Sequence, residues 1–253
     1  MSLRHPCLCR FRFYATLNDF LPRRRRGIAF NVRFSGRKSV KSAIEGAGVP
    51  HTEVDLVLVN GESVGFGRPL VHGDRVSVYP VFQRIDISPL VKLSPDLPGT
   101  MRFVIDGHLG KLAKAMRLLG FDCLYDVDLD DAEIVRRAFT EGRIILTRDI
   151  QLLKRQGAQW GTWVRSTDPE WQVREVLDRF GLRSQCRPFT RCLACGGELR
   201  EADRDAVAPR LEPRTARFYR RFFECARCGQ VFWEGSHYRR LAKRAASWIG
   251  KRG

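Results

Sequence analysis

The stretch from Phe103 to Asp149 constrains this chain most, because it alternates strand with helix and ends each apolar strand near an aspartate. Phe103, Val104 and Ile105 form a short apolar run that delivers Asp106, and Gly107 to Gly110 turn the chain into a helix. Leu109, Leu112, Ala113, Met116 and Leu119 recur there at the three-and-four spacing of one buried helical face. A carboxylate-rich run follows (Asp122, Asp126, Asp128, Asp130, Asp131 and Glu133), then a second helix closed by Glu141 and Gly142. Arg143 to Thr147 reads as a second buried strand, and Arg148 and Asp149 stand at its end. In open parallel sheets ligands gather outside the carboxyl ends of the strands. Aspartates brought together there repel one another, and a hard divalent cation such as Mg²⁺ relieves the repulsion.

The phrases DGHLGKLA (from Asp106), MRLLGFD (from Met116) and EGRIILTRD (from Glu141) occur here in an order and spacing that resemble the PIN-like ribonuclease family named after the mutator-seven C-terminal (Mut7-C) domain. The resemblance implies a metal-dependent ribonuclease fold with a zinc ribbon on its C-terminal side. It also implies a third acid at the start of the second helix, which Asp131 matches best. Relatives of the PIN fold often use a fourth acid late in the domain, and Asp168 is the candidate here.

Charge is distributed unevenly. The formal net charge is +17. Residues 1–95 carry +8, residues 96–185 carry zero and residues 186–253 carry +9. A neutral, Asp-rich middle between basic flanks suits a phosphodiester-cutting centre whose neighbours grip a polyanion. Basic surface that serves only solubility is the competing reading. Four of the eight cysteines form two CxxC pairs, a pattern of metal binding rather than disulfides. No apolar run approaches the ~20 residues of a membrane helix, and the opening residues lack an apolar signal core. The expected setting is therefore a reducing cytoplasm, away from membranes.

The expected fold class is α/β. A PIN-like domain with a three-layer parallel sheet spans 101–185, preceded by a ubiquitin-like β-grasp domain at 1–90 and a linker at 91–100. A Cys₄ zinc ribbon with a basic C-terminal helix follows at 186–253. In the first segment Arg10 to Tyr14 and Ile28 to Phe34 alternate as strands, flanking an arginine-rich turn at Leu21 to Gly27. Ser39 to Gly48 reads as one short helix with Val40, Ala43, Ile44 and Ala47 on a face. Val54 to Val59 is a strand that runs into the Asn60-Gly61 hairpin signal, and Arg75 to Val81 is the last strand. This order, with the phrases VLVNGESV and PLVHGDRVSVYPVF, resembles the β-grasp of small sulfur carriers. Those act through a free terminal Gly-Gly, whereas this chain runs on through Phe82, so docking of a protein partner or contact with RNA fits better. Arg23 to Arg26 reads equally as a phosphate grip or a solvated turn.

Further along, Ile150 to Gln156 is a helix, Trp160 to Val164 a strand, and Asp168-Pro169 opens a helix. Alternating strands and helices imply a parallel sheet with helical layers. Cys192 and Cys195 pair with Cys225 and Cys228 as two knuckles of a tetrahedral zinc site, with no open position for chemistry. Arg220 and Arg221 sit among aromatics, a mixture that can grip phosphates and stack on bases. Most of those aromatics read better as the core of a small ribbon.

The expected activity is hydrolysis of RNA phosphodiester bonds with Mg²⁺ or Mn²⁺. Asp106, Asp131 and Asp149 are the expected catalytic metal ligands, and Asp126, Asp168 and Thr147 are additional candidates. Asp106 also reads as a helix N-cap, a common role for aspartate. Asp130 with Glu133 forms a capping-box pattern, and Asp168 before Pro169 reads as a cap. Lys111 and Arg148 are candidates for phosphate contact. The RNA remains open between tRNA, rRNA and single strands. The rival function is a non-catalytic RNA-binding or ribosome-associated adaptor.

Overall fold

A computed structural model describes residues 7–82 and 85–250. The opening residues, read above for a signal core, and the end of the basic tail lie outside that range. The first strand, β1 (Cys7–Phe13), turns Cys9, Phe11 and Phe13 inward and Arg10 and Arg12 outward. This is the alternation a pleated strand with one buried face requires. Two 3₁₀ turns, Ala15–Phe20 and Arg23–Arg25, lead to β2 (Phe30–Phe34), antiparallel to β1. Within the arginine run, Arg25 lies over the Phe30 ring and Arg26 donates to the Leu21 carbonyl at 2.9 Å. Half of that cluster therefore has structural employment.

Helix α1 (Val40–Gly46) is capped by Ser39, whose hydroxyl accepts from the Ser42 N–H, and it buries Val40, Ala43 and Ile44. β3 (Val54–Val59) turns at Asn60 (φ 55°) and Gly61 (φ 95°) into β4 (Glu62–Ser63). Both turn residues adopt the positive φ that a tight hairpin of this hand needs. β5 (Arg75–Pro80) runs antiparallel to β3 and parallel to β1, giving the order β2-β1-β5-β3-β4. The sheet and α1 enclose one apolar core that includes Phe11, Phe13, Ile44, Val57 and Val78.

Strand and helix then alternate as expected. β6 (Arg102–Ile105) leads through a 3₁₀ turn to α2 (Gly110–Leu118), and β7 (Asp122–Tyr125) lies parallel to β6. α3 (Asp131–Glu141) is followed by β8 (Ile144–Thr147), α4 (Ile150–Lys154) and β9 (Gly161–Trp163), with β8 and β9 parallel. α5 (Pro169–Phe180) completes this part. Two features differ from the sequence reading. Asp122, placed above in a carboxylate run, begins β7, a strand in which only Cys123 is fully buried and whose alternation is too short to announce itself. α2 is buried on more than one face, with Ala115, Arg117 and Leu118 enclosed and Lys111 and Lys114 exposed, because it contacts α5 and a C-terminal helix as well as β7.

The C-terminal part is a three-stranded antiparallel sheet, β10 (Leu199–Ala202), β11 (Phe222–Cys225) and β12 (Val231–Trp233). The insertion between β10 and β11 is helical, with α6 (Arg204–Val207) and α7 (Pro213–Phe218). α8 (Ser236–Ile249) closes the chain and buries Ala245 and Trp248.

The chain divides into two compact units. One joins the residues up to Pro98 with Ala138–Trp163, and the other joins Gly99–Arg137 with the residues from Val164 onward. In the first, the β-grasp sheet and α1 are fastened to α4 and β9. Glu53, wholly buried, accepts from the Thr162 hydroxyl and the Trp163 N–H, each at 2.8 Å. His51 Nε2 lies 2.9 Å from the Ala158 carbonyl, and Lys154 donates to the Glu45 carbonyl at 2.9 Å. In the second unit the joint runs between α2 and the cysteine-bearing ribbon, as described next.

Candidate functional site

The acids come first. Asp106 leaves β6 and caps the turn into α2, its Oδ1 accepting the His108 N–H at 3.3 Å. The surrounding DGHLG phrase is held by close packing. The Tyr125 hydroxyl donates to the Gly107 carbonyl at 3.0 Å, and a Cβ on Gly110 would stand 2.5 Å from that hydroxyl. A Cβ on Gly107 would press on the Val127 carbonyl oxygen at 3.2 Å. The turn carrying Asp106 thus lies against the loop that follows β7, which contains Asp126 and Asp128.

Asp149 has the same local construction after β8. Its Oδ1 accepts the Gln151 N–H at 2.7 Å, while its own N–H donates to Thr147 Oγ1 at 2.8 Å. Thr147 is fully buried, so its hydroxyl acts on the backbone of the Asp149 turn. Arg148, between them, is half-buried. Asp131 is the first residue of α3, and the Asp130 carboxylate accepts the Glu133 N–H at 2.8 Å, the capping role read from sequence. Glu133 does not complete a reciprocal box: Arg136 and then Arg137 bind its carboxylate and hold it down to about 2.

The further candidates are occupied with backbone. Asp126 accepts the Asp128 N–H at 3.1 Å. Asp168 caps α5 through the N–H groups of Glu170 (2.7 Å) and Trp171 (3.3 Å). Lys111 and Asp168 share the wall of a cleft of about 460 Å³ with Lys114, Leu193, Arg244 and Trp248. Inside it Glu170 pairs with Arg244 and accepts from the Trp248 indole. Arg220 is exposed, and Arg221 lies over Phe223 within 3.4–3.5 Å of Glu201 and Glu234.

The four ribbon cysteines do meet. Their sulfurs all lie within 4.8 Å of one another, with Cys192 and Cys228 at 3.8 Å and Cys195 and Cys225 at 3.4 Å. A tetrahedral ion with metal–sulfur bonds of about 2.3 Å would set its sulfurs about 3.8 Å apart, so the donor set fits zinc. Each knuckle also turns a backbone N–H toward sulfur, Gly197 to Cys195 and Arg227 to Cys225, both at 3.4 Å. A Cβ on Gly197 would stand 2.8 Å from the Cys225 sulfur, so the cradle excludes a side chain there. Burial pushes the Cys195 thiol up to about 12. Burial acts the same way on Cys225, yet the N–H groups of Cys228 and Arg227 draw that thiol down to about 7. Thiols this close cannot all ionise together, and a cation removes the conflict.

Arg117 is the residue that sequence reasoning passed over. It is 3 % exposed, and its guanidinium donates to the carbonyls of Cys123 (3.0 and 3.2 Å), Ala194 (2.7 Å) and Leu193 (3.3 Å). It therefore bolts the first cysteine knuckle to α2 and β7. The available signal was a charged residue flanked on both sides by apolar ones, Ala115 and Met116 before it and Leu118 and Leu119 after it. Gly120 supports the same joint. Its φ is +94°, and any Cβ would collide with the Arg187 carbonyl oxygen.

A family model described as the Mut7-C RNAse domain matches residues 101–245, and one described as Mut7-C ubiquitin matches residues 7–86. No curated protein and no solved structure matches the chain significantly.

Proposed function

The chain belongs to the Mut7-C RNAse domain family, and from that premise we propose that it is a metal-dependent, PIN-like ribonuclease acting at Asp106, Asp131 and Asp149. The observation that carries the reading is the shared construction of the Asp106 and Asp149 turns. Each acid follows a buried parallel strand, and each has one carboxylate oxygen fixed by the N–H two residues on. Aspartates so restrained, with a third from the start of α3, offer the hard oxygen donors that Mg²⁺ or Mn²⁺ favours. When bound, the ion supplies Lewis-acid stabilisation of the phosphate and a water acidic enough to attack it.

The chain's own residues do the rest. Thr147 fixes the Asp149 turn, while Lys111 and Arg148 neutralise phosphate. Asp126 and Asp168, each spent on local N–H groups, are further acids of lesser weight. Zinc at Cys192, Cys195, Cys225 and Cys228 is structural. The domain limits 1–90, 101–185 and 186–253, RNA as partner, Arg220 and Arg221 as RNA contacts, and residence in the cytoplasm belong to the same proposal. Among the described residues no disulfide joins the eight cysteines, which suits a reducing compartment. Among the described residues no helix is long and apolar enough to cross a membrane.

The test is RNA cleavage by zinc-replete protein with and without added Mn²⁺ or Mg²⁺, for wild type, Asp106→Asn and Asp149→Asn. Asparagine keeps the capping oxygen, so the turns survive while a metal-binding charge is lost. Metal-dependent cleavage that disappears in both variants is expected. Equal cleavage by the variants, or none by a folded wild type, would leave an RNA-binding adaptor as the better reading.

A further inference from the structure

The β-grasp sheet has two faces, and only one is committed to the core. The other face carries Arg10 and Arg12 on β1, Arg33 on β2 and Arg75 on β5, all exposed. The register brings them together: Arg10 stands beside Arg75 on one side and Asn31 on the other, and Arg33 stands opposite Leu8, diagonal to Arg10. Across three strands these four cations occupy a width of about 10 Å, and the extended chain from Leu8 to Tyr14 covers about 20 Å. None of the four forms an ion pair among the described residues. The nearest acid in sequence, Asp74, is 2 % exposed and already bonded to Arg68, Asn60 and the Val71 N–H. Cations gathered this way repel one another, and among the described residues no ion pair offsets that cost.

Aromatic groups flank the cations. Tyr14 and Tyr79 stack with ring centroids 4.4 Å apart and planes within 7°, and the Arg12 guanidinium lies over Tyr14 at 5.1 Å. Guanidinium and aromatic planes at the end of such a stack are surfaces on which an unpaired base can lie.

We propose that this outer face of the β-grasp sheet is a binding platform for single-stranded RNA, with Arg10, Arg33 and Arg75 on phosphates and the Arg12–Tyr14–Tyr79 stack on a base. The choice of RNA over other polyanions rests on the ribonuclease reading. The charge complementarity stands without it. An acidic peptide would satisfy the arginines but leave the stacked planes unused.

The experiment measures binding of a fluorescein-labelled single-stranded RNA oligonucleotide by anisotropy, on zinc-replete full-length protein without added divalent metal, from 50 to 300 mM salt. Wild type is compared with the triple variant Arg10→Gln/Arg33→Gln/Arg75→Gln and with Arg12→Lys. Melting by circular dichroism checks that these exposed strand positions leave folding intact. Losing three phosphate contacts lowers the magnitude of the log–log salt slope by about 2, and weakens binding about 100-fold at 0.1 M salt. Arg12→Lys keeps the charge and loses the planar stack, so binding weakens several-fold with the slope unchanged. Wild-type affinity and slope in a folded triple variant would overturn the platform. So would binding of a poly-glutamate peptide, and not RNA, to the wild type with the same arginine dependence. An RNA that binds through these arginines yet is never cut with Mn²⁺ would uphold the platform and sink the ribonuclease reading alone.

Discussion

Replacing Arg117 with methionine tests whether the ribbon and α2 form one structural element. The side chain is 3 % exposed and its guanidinium serves the Cys123 carbonyl, which is buried, and the Ala194 carbonyl, which is partly so. Methionine fills similar space but donates nothing. Stranding a buried carbonyl costs about 1–3 kcal/mol, and a part-buried one costs toward the low end of that range. Relief from burying an unpaired cation returns some of it. The net expected loss is about 2–3 kcal/mol, which for a chain of this length lowers the melting temperature by about 5–10 °C. Because Ala194 lies between Cys192 and Cys195, the variant should also surrender zinc to a chelator faster than wild type. Urea denaturation followed by fluorescence, with zinc release followed by a chromogenic chelator, reads both effects. Arg117→Lys, with one point charge for several acceptors, should fall between them. A methionine variant with the wild-type midpoint and the wild-type release rate would refute the argument that this cation holds the knuckle.

Three further outcomes follow from the same geometry. Gly120→Ala meets both a φ of +94° and the Arg187 carbonyl, so it should cost about 2 kcal/mol or more in denaturant unfolding; a neutral result would mean that the segment from Arg187 shifts freely. Removing zinc should release the ribbon, since structural zinc sites are commonly folded only with metal. Hydrogen exchange should then show β10–β12 amides losing protection while α1 and β3 keep theirs, and unchanged β11 protection in metal-stripped protein would contradict it. Burial opposes ionisation of Asp74, yet the Val71 N–H, Asn60 and Arg68 hold its carboxyl below the ordinary value of 3.8. In acid the folded state therefore binds fewer protons than the unfolded one. The stability from Asp74 is complete above pH 4 and is lost as pH falls through its lowered folded value. Asp74→Asn should accordingly be less stable at pH 6 and show a shallower decline in midpoint below pH 4; parallel curves would argue against it.

Features generated by local chemistry were legible in the sequence. Alternation placed β1 and β2, an apolar run placed β3, the Asn60-Gly61 pair announced its hairpin, and Asp168 before Pro169 announced a helix start that the structure caps with two N–H bonds. The four cysteines were legible because a knuckle is a local turn repeated twice. What stayed hidden has partners far along the chain. Arg117 reaches carbonyls 76 and 77 residues away, and Glu53 reaches Thr162 across 109 residues. In sequence, each reads as an ordinary charge beside apolar neighbours. β7 was hidden for a different reason: a four-residue strand with one fully buried side chain has no period to detect.

The hidden residues share a property that bears on how the chain is organised. A charged side chain is rarely buried unless its bonding is complete, and both Arg117 and Glu53 are buried where one sequence segment meets another. Arg117 joins the helix after Asp106 to the first cysteine knuckle. Glu53 joins the β-grasp segment to β9, the strand that follows the Asp149 turn and α4. The segments that sequence patterns separate are thus fastened through elements that follow the two acid-bearing turns. A freely tethered RNA-binding module would need neither bond and would carry the cost of burying both charges for nothing. The β-grasp sheet, with its unpaired arginines facing outward and Glu53 anchoring its other side, is therefore better understood as a fixed part of the Asp149-bearing unit than as an appendage to it.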